Sequence, residues 1–246
     1  MRVIRIEKIG GNPIPVLNPV FWVDAAQNVT ESGGAVSAWG NLGTGSTDAT
    51  QGSGSAQPTY NATGFGANSL PYIDFNGSTN YFTLGTEYSK LAEHTVITVS
   101  EIVDASTRQY ILGDSSSAGA SATCSAVHGI NGSSFENIYG NSISTFRKVT
   151  SVESIPSATP LMLSDTYTNG DTKTEMYLNG IGLTESTAGS AAAISGTKYE
   201  MRVGEIGAGG YNPFEGKIAE VIIFDYPLAT IDLTAVHNFL ISKYGL

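Results

Sequence analysis

The residues that indicate the fold most clearly are Phe214-Glu-Gly-Lys-Ile-Ala-Glu-Val-Ile-Ile-Phe224, close to the end of the 246-residue chain. Its closing run of Val, Ile and Phe predicts a buried β-strand, because β-branched and aromatic side chains suit a pleated sheet. Pro227 follows shortly afterwards and predicts the end of that strand. Residues 230–243 then predict an amphipathic helix whose buried face comprises Ile231, Ala235, Val236, Phe239 and Leu240.

Upstream of this ending, the sequence predicts strands and turns almost throughout. The predicted strands are 72–76, 81–84, 95–103, 109–113, 161–167, 173–178, 199–203 and 217–224. Turns are predicted at Asn76-Gly77, 130–132, 137–140, 169–171 and Asn179-Gly180. Asn76-Gly77 fits a type I′ hairpin turn, since both central residues of that turn have positive φ. Many strands followed by one late helix predict an all-β, two-sheet antiparallel sandwich with one short C-terminal helix.

The composition fits one large domain with a polar, weakly charged surface. Hydrophobic residues make up 41% of the chain, enough for a sizeable core, and charged residues only 14%, against roughly 25% in an average domain. The formal net charge is −10, and the twelve basic residues form no cluster. Because nucleic acids and anionic membranes need a basic surface, neither is an expected partner. No apolar run approaches the length of a membrane span, so membrane insertion is not expected either.

Residues 1–19 differ from the rest of the chain, which we take as a single domain over residues 20–246. The alternation at residues 3–7 predicts an N-terminal strand, and the Gly/Pro-rich residues 10–15 break it. The alternative is an arm that adds to the sheet edge of a partner. The N-terminus lacks the apolar core of a signal peptide, and the single cysteine, Cys124, excludes an internal disulfide.

Four blocks of sequence together resemble the concanavalin A-like lectin/glucanase superfamily, in its laminin-G-like branch of bacterial and phage proteins. The blocks are Phe21-Trp-Val-Asp-Ala25 with 36–39, 48–51 and 57–60; Tyr72-Ile-Asp-Phe-Asn-Gly77 with 81–82; Glu175-Met-Tyr-Leu-Asn-Gly180; and Phe214 to Val221 with the closing helix. The resemblance implies a jelly roll of two curved sheets whose concave face and rim loops bind glycans in relatives. Trp22 and Trp39 are predicted to be core residues rather than aromatic rings on which a sugar stacks.

The sequence lacks the motifs of the expected catalysts. Glucanases of the superfamily carry Glu-x-Asp-x-Glu on one strand, and this motif is absent. Glu215 and Glu220 are five residues apart, so a regular strand would place them on opposite faces. The three histidines, His94, His128 and His237, are far apart in sequence, and neither a Gly-x-Ser-x-Gly elbow nor a phosphate-binding loop occurs. We therefore expect no enzymatic activity; a glycoside hydrolase or lyase is the alternative.

No cofactor is expected from the sequence. Calcium is the one metal worth weighing, because Asp165, Asn169 and Asp171 offer oxygens near one predicted turn, although no ordered calcium-loop motif is present. Cys124 and His128 could share a strand face, but two ligands do not make a zinc site.

A shallow glycan site needs an aromatic ring beside amide or carboxylate groups. Three pairs meet this requirement: Tyr211 with Asn212, Tyr110 with Asp114, and Asn137 with Tyr139. These six residues are the predicted ligand-binding residues, with a glycan as the expected ligand.

The sequence thus favours a non-catalytic, surface-exposed binding or structural module. The lack of disulfides and of a signal peptide suits a phage virion protein, either a head decoration or a tail-associated adhesin, made in the host cytoplasm and displayed on the virion surface. Residues 1–19 would then contact a capsid or tail protein. A bacterial cell surface is the alternative location, a purely structural role without a ligand is a further alternative, and the oligomeric state stays open.

Overall fold

The computed structural model describes residues 12–89, 91–114, 126–142, 145–168, 174–189, 198–207 and 211–246. The strand predicted at residues 3–7, Cys124, and two of the three residues that offer oxygens to calcium, Asn169 and Asp171, lie outside these residues. Within them, no helix has both the length and the apolar character needed to cross a membrane.

The described residues form eighteen strands and one α-helix, which confirms the predicted all-β architecture. The first nine strands are β1 (Phe21–Asp24), β2 (Val29–Ser32), β3 (Ala35–Trp39), β4 (Ala49–Thr50), β5 (Thr59–Phe65), β6 (Leu70–Asn76), β7 (Phe82–Thr83), β8 (His94–Ile102) and β9 (Gln109–Asp114). The others are β10 (Ala126–Asn131), β11 (Ser134–Ser142), β12 (Thr145–Ser154), β13 (Pro160–Tyr167), β14 (Thr174–Leu178), β15 (Ile181–Gly182), β16 (Glu185–Gly189), β17 (Met201–Val203) and β18 (Glu215–Phe224). Helix α1 spans Thr230–Tyr244 and ends the domain.

The strands form two antiparallel sheets, and β18 lies in the middle of the first. One edge of β18 pairs with β6 and then β1, while its other edge pairs with β8. The first sheet continues from β8 through β13 and β14 to β15. The second sheet runs β4, β7, β17, β9, β10, β11, β12 and β16 in space. Strand β3, which pairs with β2 and β4, also touches β5 and so connects the two sheets.

Two hydrophobic clusters cover the two faces of the first sheet. The larger cluster fills the space between the sheets and includes Trp39, which is fully buried. The second cluster lies on the outer face of the first sheet, where α1 packs, and includes Trp22. Both tryptophans are therefore core residues, as predicted.

The buried face of α1 differs from the predicted one. Leu233, Val236, His237, Leu240 and Tyr244 are buried, at the three- and four-residue spacing of a helix face. Val236 and Leu240 were predicted correctly, but Ile231 is 79% exposed. The helix is rotated so that Tyr244, rather than Ile231, extends the stripe, and Tyr244 packs edge-to-face on Phe65. Gly245 then adopts a φ of 67° and ends the helix.

The described part of the N-terminal segment packs against the domain. A 3-10 helix at Ile14–Leu17 buries both of its terminal residues in the cluster beneath α1. Tyr226 donates its hydroxyl to the carbonyl oxygen of Leu17, which ties this turn to the residues that follow β18. From residue 12 onward the segment is therefore part of the sandwich.

Of three predicted turns compared with the structure, one is confirmed and two are wrong. Asn179 and Gly180 have φ of 48° and 78° and join β14 to β15 as a two-residue hairpin turn, as predicted. The hairpin predicted at Asn76-Gly77 is wrong, because β6 pairs with β5 and β18, whereas β7 pairs with β4 and β17. Asn76 instead accepts hydrogen bonds from the backbone N–H groups of the next residues, which bend the chain away. The turn predicted at residues 137–140 is also wrong, because these residues lie within β11.

Candidate functional site

The outer face of the second sheet is the face that α1 leaves uncovered, because the helix packs on the first sheet. The alternation along β11 directs Glu136 and Ile138 outward, while Phe135 points into the core between the sheets. Lys148 of β12 pairs with Ile138 and shares this outer face. We call this surface, centred on Glu136, the outer polar face.

The Glu136 carboxylate is the centre of a hydrogen-bonded cluster. Arg108 Nε donates to Oε1 at 3.1 Å and Arg108 Nη2 donates to Oε2 at 3.0 Å, a two-pronged contact. The Tyr110 hydroxyl donates to Oε1 at 2.9 Å, Asn131 Nδ2 donates to Oε2 at 2.8 Å, and Lys148 forms an ion pair with the same carboxylate. Burial by itself raises the pKa of Glu136, but the hydrogen bonds from Arg108 and Lys148 outweigh it and hold the pKa below its usual value.

The donors around Glu136 are themselves partly open to solvent. The Arg108 side chain is 33% exposed and that of Lys148 25%, whereas the Glu136 side chain is fully buried. Glu136 therefore fixes the positions of a guanidinium, an ammonium and an amide, and the first two belong to side chains that solvent partly reaches.

The aromatic part of this face consists of Tyr110 and Tyr211. Tyr110 is fully buried, because Ile138, Ile206 and the partly exposed Tyr211 pack over it. The backbone N–H of Tyr110 donates to the carbonyl oxygen of Asn212 at 3.0 Å, so this pair of segments is held together. Tyr211 is thus the ring that a ligand could reach, while Tyr110 supports it from below.

A second charged group surrounds Arg202 of strand β17, in the same sheet. The Arg202 guanidinium stacks over the Tyr81 ring, 4.3 Å from its centroid. Arg202 Nη2 pairs with Glu200 Oε1 at 2.7 Å, and Arg202 also contacts Glu205. Burial raises the pKa of Glu205 more than Arg202 lowers it.

The structure divides the six predicted binding residues between two faces. Tyr110, Tyr211 and Asn212 lie together, as described above. Leu112 and Asp114 are two and four residues from Tyr110, so a regular strand would place all three on one face. The register shift between β9 and β10 instead places Leu112 and Asp114 on the core side. Asp114 is fully buried and hydrogen-bonds to Ser89. The predicted pairing of Tyr110 with Asp114 is therefore wrong, because the bulge reverses the alternation.

Asn137 and Tyr139 also face the interior rather than a rim. Asn137 is fully buried between Phe135 and Tyr139 on the inner face of β11. Its side-chain Oδ1 and Nδ2 have no hydrogen-bond partner among the described residues. Neither residue can stack on or contact a ligand at the outer polar face.

A buried polar cluster around Asp165 was not predicted from the sequence. His128 Nδ1 lies 2.7 Å from Asp165 Oδ1, and the Tyr139 hydroxyl donates to Asp165 Oδ2 at 2.7 Å. His94 Nε2 lies 3.7 Å from Asp165 Oδ2. Thr98 Oγ1 hydrogen-bonds to His128 Nε2 at 2.9 Å. Two histidines that are distant in sequence thus converge on one aspartate through the pairing of β8 with β13 and the stacking of the sheets.

The Asp165 cluster borders a pocket of about 350 Å³, a volume that includes the part open to solvent. The apolar side of the pocket consists of Tyr88, Leu91, Val96, Leu112, Met201 and Ile223. Burial raises the pKa of Asp165, but its contacts with His128 and His94 lower the pKa by more than burial raises it. The pKa of the carboxyl is therefore well below its usual value. Asp165 is therefore an ionised group whose two carboxylate oxygens are already bound by His128 and Tyr139. The described residues contain no group of three or more acidic, histidine or cysteine side chains placed to hold a metal ion.

The prediction that Glu215 and Glu220 lie on opposite faces of β18 is wrong. A bulge between Ile218 and Glu220 shifts the register, so Glu220 lies beneath α1. Lys217 lies over the Tyr72 ring on the same outer face of the first sheet, and alternation places Glu215 beside it. Glu220 is bound by helix residues, so the two glutamates do not form a facing acid pair.

No protein-family model matches the chain, and no curated protein sequence does. Solved structures do resemble it. Domain 4 of AbnA, a GH43 extracellular arabinanase from Geobacillus stearothermophilus in complex with arabinotriose, matches with a TM-score of 0.60 at 16% identity, over 89% of this chain and 98% of that one. The Trypanosoma rangeli sialidase in complex with sialic acid matches with a TM-score of 0.58 at 12% identity over 94% of this chain. This chain covers only 34% of the sialidase.

The binding domain of botulinum neurotoxin serotype D also matches, with a TM-score of 0.55 at 11% identity, over 92% of this chain and 51% of that one. At these identities the likeness concerns the fold. The chain therefore has a lectin-like antiparallel β-sandwich fold, shared with domains of these three proteins.

Proposed function

We propose that the chain is a non-catalytic carbohydrate-binding β-sandwich module that uses its outer polar face. The observation that carries this proposal is the buried Glu136 carboxylate, which orients Arg108, Lys148 and Asn131 near the partly exposed ring of Tyr211. Sugar hydroxyls are bound by fixed planar donors, often through water, while the apolar side of a sugar ring packs on an aromatic ring. This face offers both kinds of contact within one helix-free surface.

The ionised state of Glu136 supports binding rather than proton transfer. Its pKa is held low by its donors, so it remains an acceptor, and the groups around it keep one geometry. Donors that are fixed before the ligand arrives cost less entropy on binding. Two structural neighbours were solved with arabinotriose and with sialic acid, which makes these two ligands the first probes.

A glycan microarray followed by calorimetry on the bound glycans tests the proposal. We expect Arg108→Ala and Tyr211→Ala each to weaken binding about tenfold or more, equivalent to ~1.4 kcal/mol. Ile231→Ala is the matched control, because Ile231 is exposed on α1, on the other side of the molecule, and its truncation should leave affinity unchanged. A blank array, or binding that neither outer-face variant weakens, would contradict the proposal and favour a purely structural role.

Glycoside hydrolysis is the alternative function, and the environment of the Glu205 carboxyl is the observation that favours it. Its raised pKa is the property required of a general acid. Hydrolysis also needs a second carboxylate, ~5 Å away for retention or ~6.5–9.5 Å for inversion. Glu205 is instead paired with Arg202, which supports the non-catalytic interpretation. Release of reducing sugar from a bound glycan, abolished by Glu205→Gln, would overturn that interpretation.

The finer assignments come from the sequence resemblance. We propose the laminin-G-like branch of the concanavalin A-like superfamily, and display of the module on a phage particle, as either a head decoration or a tail-associated adhesin. A capsid or tail protein would then be the partner of the N-terminal segment. Detection of the protein in purified particles by mass spectrometry tests the phage placement; its presence at a bacterial cell surface instead would support the alternative location.

A further inference from the structure

A cluster of Lys243, Asp24 and Glu220 joins the last turn of α1 to strands β1 and β18. Lys243 Nζ lies 2.7 Å from Asp24 Oδ2 and 2.7 Å from Glu220 Oε2. Asp24 and Glu220 are paired residues in the register of β1 and β18, so their carboxyl groups are neighbours. One amine is therefore held against two adjacent carboxyl groups.

The two carboxyl groups of this cluster are shielded from water, whereas the Lys243 side chain is 18% exposed. Glu220 is fully buried and Asp24 is 3% exposed. Trp22 Nε1 donates to Glu220 Oε1 at 2.7 Å, and the Tyr244 hydroxyl donates to Glu220 Oε2 at 2.8 Å. Asp24 Oδ1 accepts the backbone N–H of the alanine two residues later, at 2.9 Å, which fixes the orientation of its carboxyl group. The three reactive groups are thus positioned by contacts that do not depend on solvent.

The charges of the cluster favour a form with one protonated carboxyl. Burial raises the pKa of Glu220 and the nearby Asp24 raises it further, and together they outweigh the effect of Lys243. Burial lowers the pKa of Lys243, but the two carboxylates raise it above its usual value. An ammonium, a carboxylate and a neutral acid together carry no net charge, which is the least costly state for a buried group of this kind.

We propose that Lys243 and Asp24 form an intramolecular isopeptide bond, an amide between Lys243 Nζ and Asp24 Cγ, with Glu220 as the proton-transfer group. A proton first passes from the Lys243 ammonium to the Asp24 carboxylate, which leaves a neutral amine beside a carboxylic acid. Nζ attacks Cγ, the new C–N bond forms, and the C–OH bond breaks. The proton that the nitrogen loses is relayed by Glu220 to the departing hydroxyl, and one water molecule is released.

This condensation needs no oxidant, reductant or further reactant, because an amine and an acid yield an amide and water. The amine must approach to roughly 3–3.5 Å from the carboxyl carbon, a near-attack separation that a hydrogen bond between the same two groups already provides. A lysine amine is an effective nucleophile only when a neighbouring base removes its proton, and the Asp24 carboxylate, 2.7 Å from Nζ, is that base. The scarcity of water also disfavours the reverse hydrolysis.

The bond would connect the first strand of the sandwich to the end of the last helix. It would close most of the domain into one covalent loop and prevent α1 from separating from the first sheet. A cross-link that closes a long loop restricts the unfolded chain and thereby stabilises the folded one. This property is independent of the glycan site, because the cluster lies beneath α1 on the opposite side of the first sheet.

Intact-mass spectrometry of the denatured full-length chain tests the proposal. We expect a mass lower than that of the sequence by one water molecule, and peptide sequencing after proteolysis should locate the link between the peptides that contain Asp24 and Lys243. A chain with the full sequence mass, or a water loss located elsewhere, would overturn the proposal.

Three variants identify the chemistry without depending on equal stability, since each result is a mass. Lys243→Arg keeps the positive charge and should restore the full mass of its sequence. In Asp24→Asn the Glu220 carboxylate, 2.7 Å from Nζ, takes the Lys243 proton and passes it to the departing nitrogen, so the same amide should form with loss of ammonia in place of water. Glu220→Gln should slow or abolish the bond while both bonding groups remain. A water loss that persists in Lys243→Arg would contradict the assignment of the amine.

Discussion

His128 Nδ1 lies 2.7 Å from Asp165 Oδ1, and this contact joins the second sheet to the first across the interior of the sandwich. Tyr139 reaches the other carboxylate oxygen from the same sheet as His128. A carboxylate between two sheets is costly unless donors surround it, because the interior solvates charge poorly. The stacking of the two sheets is thus held by directional hydrogen bonds as well as by apolar contacts.

Replacement of Asp165 should destabilise the domain strongly. Asp165→Ala leaves His128 and Tyr139 without their buried acceptor, and we expect a loss of about 3–5 kcal/mol in the free energy of unfolding. Urea unfolding followed by tryptophan fluorescence measures this loss. Asp225→Ala is the control, because Asp225 is exposed and its removal should change stability by no more than ~0.5 kcal/mol. Equal effects of the two substitutions would contradict the interior role of Asp165.

The docking of α1 should weaken in acid because of His237. Burial lowers the pKa of His237 to about 4, against an ordinary value of 6.5. The unfolded chain therefore binds a proton that the folded chain excludes, so the stability contributed by neutral His237 is present above about pH 6.5 and is lost as the pH falls toward about 4. The full effect is about 3 kcal/mol.

The measurement is the free energy of unfolding of the wild type and of His237→Gln across this pH range. Gln can still hydrogen-bond to Ser164, which lies 2.8 Å from His237 Nε2. We expect the wild type to lose stability relative to the variant as the pH falls through the window. A constant difference between the two proteins would show that His237 does not titrate on unfolding.

The sequence predicted the strands and the helix that have a regular hydrophobic periodicity. It did not predict the strand faces and side-chain clusters that depend on pairing between residues distant in sequence. Strand β18 and helix α1 carry their own periodicity, so both were predicted within a few residues. The side of β9 that Asp114 faces could not be predicted, because a bulge that only the pairing with β10 reveals reverses the alternation. His94 and His128 meet at Asp165 through the contact of two sheets, and no local spacing encodes that meeting. The proximity of Tyr211 and Asn212 to Tyr110 was not predicted, because Tyr110 belonged to a separate predicted pair, and Glu136, the centre of the outer polar face, was missed.

Gly216 should be intolerant of a side chain. It has a φ of 150°, and a Cβ built at this position would lie 2.1 Å from the carbonyl oxygen of Glu101 on the paired strand β8. We expect Gly216→Ala to cost about 1–3 kcal/mol, because the backbone of two central strands must move apart. Gly52→Ala is the matched control, since a Cβ there meets no atom within 4 Å. Comparison of the two unfolding midpoints checks the prediction, and a tolerated Gly216→Ala would show that the β18–β8 pairing is looser than described.

The rotated face of α1 can be tested with one buried and one exposed residue of the same helix. Leu240 is fully buried against the first sheet, whereas Ile231 is 79% exposed. Leu240→Ala should reduce the free energy of unfolding by about 2–5 kcal/mol, because it removes buried methyl groups and leaves a cavity. Ile231→Ala should change it by no more than ~0.5 kcal/mol, although the sequence pattern placed both residues on one face. Similar losses in the two variants would support the face predicted from the sequence, whereas a large difference would support the packing through Leu233, Leu240 and Tyr244.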